Sequence, residues 1–181
     1  MKYFKFIKAC QVSGSTNLKK IISLGNIPFV NDMHKIDKNE YITFTAPLEL
    51  YYCKLSKLVQ LNIEVDKKIL FPKSYPYTSS TTKILRDNFR ALRNNVDKEN
   101  ILEKDDLVID IGSNDGNLLS YFKDKYKVLG VTPENIGKIA IKNGIPTIIN
   151  YFDDKAVKKI VSHFGKAKLI TATNVFAHIG N

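Results

Sequence analysis

One segment of the sequence has the composition of a ligand-binding turn. It consists of Gly112, Ser113, Asn114, Asp115 and Gly116. Glycine lets the backbone approach a ligand closely, and the ligands of parallel α/β sheets lie at the carboxyl ends of the strands. The spacing of the two glycines differs from that of dinucleotide-binding folds and of phosphate loops. The turn therefore favours a nucleoside cofactor of the sulfonium amino-acid type, with an ordinary strand-to-helix turn as the alternative.

The elements around this turn alternate between short apolar strands and amphipathic helices. The strands are predicted at 107–111, 127–131, 146–149 and 168–173, and the helices at 117–126, 135–143 and 153–164. In the last helix, the residues at the spacing of one face are Val157, Ile160, Val161 and Phe164. Alternation of this kind implies a parallel, doubly wound sheet in an α/β fold.

A longer helix is predicted before the alternating part. Ser79 or Ser80 is its expected N-terminal cap. Its apolar residues recur at the spacing of one helical face, at Leu85, Phe89, Leu92 and Val96. This helix is expected to lead into the main domain.

The first 70 residues form a different, irregular module. Short strands are predicted at 41–44 and 48–52, with turns at Gly25-Asn26 and Ala46-Pro47. Turn-forming residues are frequent between 66 and 80, which indicates a boundary. We therefore expect a small N-terminal module at 1–70 and an α/β domain at 71–181.

The chain resembles a known family of enzymes from about Cys10 to His178. Besides the segment 110–119 around the glycine turn, five segments agree with the family pattern in the same order: 24–28, 53–61, 75–80, 144–147 and 174–178. The family is that of the class I S-adenosylmethionine (SAM)-dependent methyltransferases that carry an N-terminal module regarded as zinc-binding, typified by deoxysugar C-3-methyltransferases. The resemblance implies a Rossmann-like sheet preceded by a zinc-ribbon-like module.

The resemblance also implies roles for individual residues. The glycine turn would surround the methionine part of SAM, Tyr151 and Phe152 would lie near its adenine, and Asn174 would line the cleft after the fourth strand. The residues implied to lie at the reacting groups are His178, Tyr75 and Tyr77. Structural roles are the alternatives: Phe152 in the core, the two tyrosines packed in the interdomain turn, and His178 at a strand end.

Two departures from the family pattern affect its ligands. The family has two Cys-x-x-Cys pairs, whereas here Cys10 and Cys53 are each followed by a serine, Ser13 or Ser56, in the second position. A neutral hydroxyl is a poor zinc ligand beside a thiolate, so we expect no bound zinc. His34 could add a ligand, but a surface role is the expected one.

The second departure is at the end of the second strand. There the family has an acidic residue that accepts hydrogen bonds from the ribose, whereas this chain has Thr132. Glu134 is expected to substitute only imperfectly. We therefore expect weak SAM binding, which Thr132→Glu would tighten.

The leading functional interpretation is methyl transfer to a carbon of a nucleotide-linked keto sugar. The sequence reaches position 181 just after the fourth strand, so we expect only the first part of the fold, and association with a second copy or with a separately encoded part. An inactive binding or assembly module remains open as the alternative. A nucleic-acid methyltransferase is disfavoured, because the segment 171–175 lacks the Asn/Asp-Pro-Pro-aromatic pattern of enzymes acting on base amino groups.

Composition limits the other function classes. The 28 Lys and Arg residues against 18 Asp and Glu give a net charge of +10, but Arg occurs only at positions 86, 90 and 93. Scattered lysine is typical of a solvated surface, and arginine is the residue that reads bases and phosphates bidentately. The sequence has no apolar run of about 18 residues, the length needed to span a bilayer. We expect a cytoplasmic protein with neither a nucleic-acid nor a membrane partner.

Overall fold

The computed structural model describes residues 3–30 and 44–179. The chain divides into two compact units, residues 1–72 and 73–181. The predicted strand at 41–44 and His34 fall outside the described residues, except for Phe44. Within the described ranges, no helix is long and apolar enough to cross a membrane.

The first unit consists of two small antiparallel sheets and one helical turn. Its elements are β1 (Phe4–Phe6), β2 (Leu18–Pro28), β3 (Thr45–Cys53), β4 (Val59–Leu61), β5 (Ile63–Val65) and α1 (Lys67–Leu70). β1 pairs with β5, and β2, β3 and β4 form a three-stranded sheet in that order. The predicted strand at 48–52 is confirmed as part of β3. A small core of Phe29, Ala46 and Ile63 holds this unit together.

Both turns predicted in the first unit are wrong. Gly25 and Asn26 lie within β2, and Ala46 and Pro47 lie within β3. The pairing of β2 with β3 shifts register between Ser23 and Asn26, and again between Lys20 and Ile22. Gly25 has φ +75°, which strand residues with a side chain rarely adopt. The turn-like residues therefore mark an irregularity inside a long hairpin, because a bulge accommodates both glycine and proline.

The second unit is a parallel sheet with helices. Its elements are α2 (Lys83–Glu99), β6 (Leu107–Ile111), α3 (Asn117–Ser120), β7 (Lys127–Thr132), α4 (Gly137–Lys142), β8 (Thr147–Ile149), α5 (Asp154–Phe164) and β9 (Leu169–Thr171). The strand order is β8-β7-β6-β9, and all three pairings are parallel. The predicted parallel α/β sheet is confirmed, and its order is compatible with a Rossmann-like fold. The zinc-ribbon-like form of the first unit stays a prediction.

The sheet has an apolar core on each face, because successive strand residues point to opposite sides. Val108 and Val128 belong to a core with side chains from α2 and α3, including Phe89, Leu118 and Leu119. A second core contains Leu107, Ile109, Ile111, Leu129, Val131 and Ile160. The strand residues are buried whichever way they point, as expected for a sheet covered on both faces.

The helices differ from the sequence prediction at their ends and faces. α2 begins at Lys83 after Thr82, not after Ser79 or Ser80, because those serines contact Asp115. The predicted helix at 117–126 is a single helical turn, α3, followed by turns. The apolar face predicted for α2 is confirmed, since Phe89 and Val96 are buried and Leu85 and Leu92 pack beside them.

The apolar face predicted for α5 is only partly buried. Ile160 is buried, and Ala156 joins it, but Val157, Val161 and Phe164 are exposed. Described residues cover the side of α5 that carries these three apolar side chains only in part. The helical period predicted the apolar stripe correctly but not how much of it would be covered.

Candidate cofactor site

The glycine turn bends sharply at the carboxyl end of β6. Gly112 and Gly116 have φ +72° and +79°, and Asn114 has φ +52°. The backbone N–H groups of Gly112 and Ser113 both donate to the carbonyl of Val131, at 2.7 and 3.1 Å, which ties the turn to the end of β7. The left-handed conformation explains the residue types of the turn. Glycine adopts it without strain, and asparagine tolerates it.

Neither glycine of the turn leaves room for a side chain. A Cβ on Gly112 would collide with Cγ2 of Val175, and a Cβ on Gly116 would lie 2.9 Å from the Cβ of Ala140. Val175 comes from the segment after β9, so that segment lies directly beside the turn.

A segment before α2 is hydrogen-bonded to the two polar residues of the turn. The carboxylate of Asp115 accepts hydrogen bonds from the hydroxyl of Ser79 and from the backbone N–H of Ser80. The side chain of Asn114 accepts from the N–H of Ser79 at 2.9 Å and donates to the carbonyl of Tyr77 at 3.0 Å. Asn114 and Asp115 therefore hold the segment 77–80 over the turn.

Two buried polar atoms near the turn have no hydrogen-bond partner among the described residues: Oγ of Ser113 and Oδ1 of Asn117. A buried polar group without a partner costs roughly 1 to 3 kcal/mol. A buried group of this kind calls for an explanation, such as an ordered water, an ion or a functional role. The two atoms offer polar partners of the kind that the amino-acid end of a nucleoside cofactor needs.

Asp110 lies two residues before the turn and is almost completely buried, with 2% of its surface exposed. Its carboxylate accepts a hydrogen bond of 2.7 Å from the hydroxyl of Thr171, the residue opposite it on β9. Burial raises the pKa of Asp110 to about 7, and the hydrogen bond from Thr171 offsets only part of this effect. At neutral pH this carboxyl group is therefore divided between its neutral and charged forms.

Thr132 is the last residue of β7, at the same edge of the sheet. Its hydroxyl donates to the carboxylate of Glu134, and both residues are buried. Its methyl group lies on the other side, where a Cβ on Gly137 would be only 2.8 Å away. The hydroxyl at position 132 thus holds the carboxylate of the residue two positions later.

The aromatic residues of the predicted site occupy different surroundings. The rings of Tyr75 and Tyr77 lie 6.3 Å apart, and Tyr77 is 45% exposed. Burial raises the pKa of the Tyr75 phenol, as do the charge of Glu134 and the neighbouring Tyr77. Phe152 packs against the core of one sheet face, the structural role noted as its alternative.

The remaining predicted residues follow the outer strands of the sheet. Tyr151 is half-buried just after β8, two strands away from β6. Asn174 has φ +56° and His178 ends a 3-10 turn, and both are exposed after β9. All of these positions lie beyond the carboxyl ends of strands, at one edge of the sheet. Hydrogen bonds join the turn to the segment 77–80, and Val175 lies beside Gly112. The backbone N–H of Asn135 donates to the carbonyl of Lys73, which joins the loop after β7 to the segment before Tyr75.

In the first unit, each cysteine lies close to the serine that follows the other cysteine. Sγ of Cys10 lies 3.1 Å from Oγ of Ser56, and Sγ of Cys53 lies 3.4 Å from Oγ of Ser13. Both cysteines are buried and free. The hydroxyls of Ser13 and then Ser56 lower the pKa of Cys10 to about 6, and the same two serines also lower that of Cys53.

This cluster has the layout of a four-ligand metal site but not its chemistry. In residues 3–30 and 44–179, no group of three or more His, Cys, Asp or Glu side chains could hold a metal ion. Structural zinc is usually held by four thiolate or imidazole ligands. The residues present therefore do not fit zinc, and the four side chains are instead joined by hydrogen bonds.

Sequence reasoning did not assign a role to Asp110, Thr171 or the contacts of Asp115. Asp110 precedes the turn in the sequence, and a charged residue in an apolar strand was the available signal. The partners Thr171 and Ser79 are distant in sequence, and no local pattern indicates them.

Comparison with known proteins gives two matches. Residues 10–71 match a family model described as "Putative zinc binding domain". Over 175 residues, 96% of this chain, the sequence is 27% identical to the C-methyltransferase NovU of Streptomyces niveus. The match covers 41% of NovU, so the chain spans about two fifths of the length of this relative. The first unit is thus similar to a domain described as zinc-binding, and nearly the whole chain is similar to part of a C-methyltransferase.

Proposed function

We propose that this chain contributes the SAM-binding part of a C-methyltransferase that acts on a nucleotide-linked keto sugar. The observation that carries the proposal is the glycine turn, with its unsatisfied buried polar atoms, at the carboxyl end of β6. The similarity to a C-methyltransferase along nearly the whole chain supports the reaction class. The sugar substrate rests on the resemblance of the sequence segments alone.

In this proposal the residues of the turn bind and orient the cofactor. SAM supplies, when bound, an electrophilic methyl group on its sulfonium. Gly112 lets Val175 pack against the turn, and Ser113 and Asn117 offer buried polar atoms that lack partners among the described residues. Asn114 and Asp115 position the segment 77–80, which brings Tyr77 to the rim of the turn.

Tyr75 is proposed to contact the substrate as a hydrogen-bond donor. Its pKa lies above the ordinary tyrosine value, so its phenol keeps its proton at neutral pH. A protonated phenol can stabilise the negative charge that develops on a sugar carbonyl oxygen when the neighbouring carbon loses its proton. His178 is proposed to lie at the same rim.

The test is calorimetric titration of S-adenosylhomocysteine into the chain and two glycine variants. Gly112→Ala adds a Cβ that collides with Val175 beside the turn, whereas Gly144→Ala adds one in open space. Both glycines have a positive φ, +72° and +77°, so the backbone strain is matched. We expect the wild type and Gly144→Ala to bind and Gly112→Ala to lose binding. Absence of binding by the wild type would contradict the proposal.

The alternative is a binding or assembly module without catalytic activity. The loss of two thiols at the cysteine cluster favours it, because it shows that this chain has departed from the family pattern at another site. Methyl transfer from radiolabelled SAM to nucleotide-linked keto sugars separates the two functions. Cofactor binding without any transfer would favour the module.

A further inference from the structure

The two thiols of the first unit form an isolated pair. Cys10 and Cys53 are the two cysteines of the sequence, and both are free thiols in the structure. Structural zinc is usually held by four ligands, which two thiols do not supply. Both sulfur atoms therefore remain open to thiol–disulfide chemistry.

Ser13 and Ser56 bring the two sulfur atoms together. The backbone N–H of Ser13 donates to Sγ of Cys10 at 3.4 Å, and the hydroxyl of the same serine lies 3.4 Å from Sγ of Cys53. Oγ of Ser56 lies 3.1 Å from Sγ of Cys10. The two serine hydroxyls lower the pKa of Cys53, whereas a hydrogen bond with the thiol of Cys10 raises it. The two thiols are therefore direct neighbours.

Buried Gln60 fixes the loop of the first cysteine. Its side chain accepts a hydrogen bond of 3.0 Å from the N–H of Gln11 and donates one of 3.1 Å to the carbonyl of Ala9. Gln60 belongs to β4, and the loop of the second cysteine ends directly before that strand, closed by a bond from the N–H of Cys53 to the carbonyl of Leu58. Both loops are thus attached at β4. A disulfide needs backbones that are already close, because poor geometry strains the bond.

The sulfur atoms are buried beneath loops that face the solvent. Cys10 and Cys53 are 3% and 0% exposed, but Ser13 and Leu55 of the same loops are exposed, Leu55 by 74%. The hydroxyls of Ser13 and then Ser56 lower the pKa of Cys10 to about 6, so that a thiolate is present at neutral pH. The thiolate is the reactive form of cysteine. A small oxidant that passes between the loop side chains therefore meets a reactive sulfur with a second thiol beside it.

We propose that Cys10 and Cys53 form a reversible disulfide, with a peroxide as the oxidant. The thiolate of Cys10 attacks one oxygen of hydrogen peroxide, the O–O bond breaks, and a sulfenic acid and hydroxide form. The sulfur of Cys53 then attacks Sγ of Cys10, and the sulfenic oxygen leaves as water with the proton of the Cys53 thiol. In total, two thiols give two electrons to one peroxide, which becomes two water molecules. A dithiol reverses the reaction by exchange and itself becomes a disulfide.

The disulfide is expected to change the stability of the first unit. It closes the chain between residues 10 and 53, and a cross-link of this kind stabilises a fold mainly by restricting its unfolded state. The oxidised chain should therefore unfold at a higher urea concentration than the reduced chain. This inference does not depend on the proposed function, because it involves no residue of the glycine turn.

The experiment treats the reduced full chain with hydrogen peroxide and analyses it by mass spectrometry. We expect the intact mass to fall by two hydrogens, the free thiols to fall from two per chain to none, and a peptide map to show a cross-link between Cys10 and Cys53. Dithiothreitol should restore both thiols. In the presence of dimedone, which traps sulfenic acids, Cys53→Ser should accumulate an adduct at Cys10, whereas the wild type should form the disulfide.

The matched control is Cys53→Ser combined with Leu55→Cys, which keeps two thiols in the same two loops but moves one to an exposed position. We expect this variant to be trapped by dimedone and to form no cross-link within the chain. Persistence of both thiols in the wild type, cross-links between chains only, or trapping of the wild type equal to that of Cys53→Ser would overturn the proposal. If circular dichroism shows that a variant is unfolded, the peptide map of the folded wild type decides alone.

Discussion

Asp110 is the residue whose ionisation is most affected by the fold. Its pKa of about 7 lies well above the ordinary value of 3.8 because the carboxyl group is buried between two strands. Between pH 3.8 and about pH 7, Asp110 is protonated in the folded chain but has lost its proton in the unfolded chain. The contribution of Asp110 to stability is therefore present below about pH 4 and is lost as the pH rises through about 7.

We predict that Asp110→Asn flattens the pH dependence of stability. The amide can still accept the hydrogen bond from Thr171, but it does not ionise. From pH 5 to 8 the free energy of unfolding of the wild type should fall by about 2 to 3 kcal/mol relative to that of the variant. Urea denaturation at both pH values measures this difference. Asp124→Asn, at an exposed aspartate, should behave like the wild type, and parallel curves for Asp110→Asn would refute the prediction.

Two loops of the first unit are joined through the side chains of their cysteines and serines. The loops that begin at Cys10 and Cys53 still face each other, with a hydroxyl within hydrogen-bond distance of each sulfur. Each loop also has a backbone hydrogen bond of its own. The N–H of Gly14 donates to the carbonyl of Cys10, and the N–H of Cys53 donates to the carbonyl of Leu58. Burial of the two cysteines and these hydrogen bonds therefore hold the two loops together without a metal ligand set among the described residues.

We predict that the purified protein contains well below one zinc per chain, and that Ser13→Cys with Ser56→Cys raises this to about one. The double variant completes four thiols in an arrangement that already faces inward, and four thiolates suit zinc. Elemental analysis of protein prepared without chelators measures both. Ser162→Cys, an added thiol on an exposed part of α5, should bind none. One zinc per wild-type chain would mean that the serines do not prevent binding.

The elements that could be predicted from the sequence are those with local causes. The face of α2 and the buried strand β6 follow from the spacing of apolar residues, and both agree with the structure. The turn at Gly112 follows from residue types that tolerate a positive φ. The start of α2 could not be predicted, because Ser79 is held by Asp115, which is distant in sequence. For the same reason, the pairing of Asp110 with Thr171 has no local signal.

At the scale of the whole molecule, the positive charge is spread thinly and the arginines are occupied. Arg86 donates to the carbonyls of Ser80 and Thr81, and Arg90 pairs with Asp87. Arg93 donates to the carbonyl of Tyr121, pairs with Asp97 and lies 5.0 Å from the ring centres of Phe122 and Tyr126. Each of the three arginines thus has a partner within the second unit, and most of the 28 basic residues are lysines.

We predict that binding to duplex DNA, if measured by fluorescence anisotropy, is independent of sequence and sensitive to salt. Lysine contacts to phosphates release counterions, so affinity should fall by orders of magnitude between about 50 and 200 mM salt. Addition of S-adenosylhomocysteine should not change the affinity for DNA. A site bound selectively at about 200 mM salt would instead indicate a nucleic-acid partner.

The two register shifts in β2 affect how this strand could pair with a strand of another molecule. β2 has eleven residues and, among the described residues, pairs only with β3, so it is an edge strand of the described sheet. A straight edge of that length would template the growth of cross-β fibrils. Because the strand bulges after Lys20 and again after Ser23, an incoming flat strand loses register within a few residues. The same irregularity that makes Gly25 look like a turn therefore protects the hairpin against aggregation.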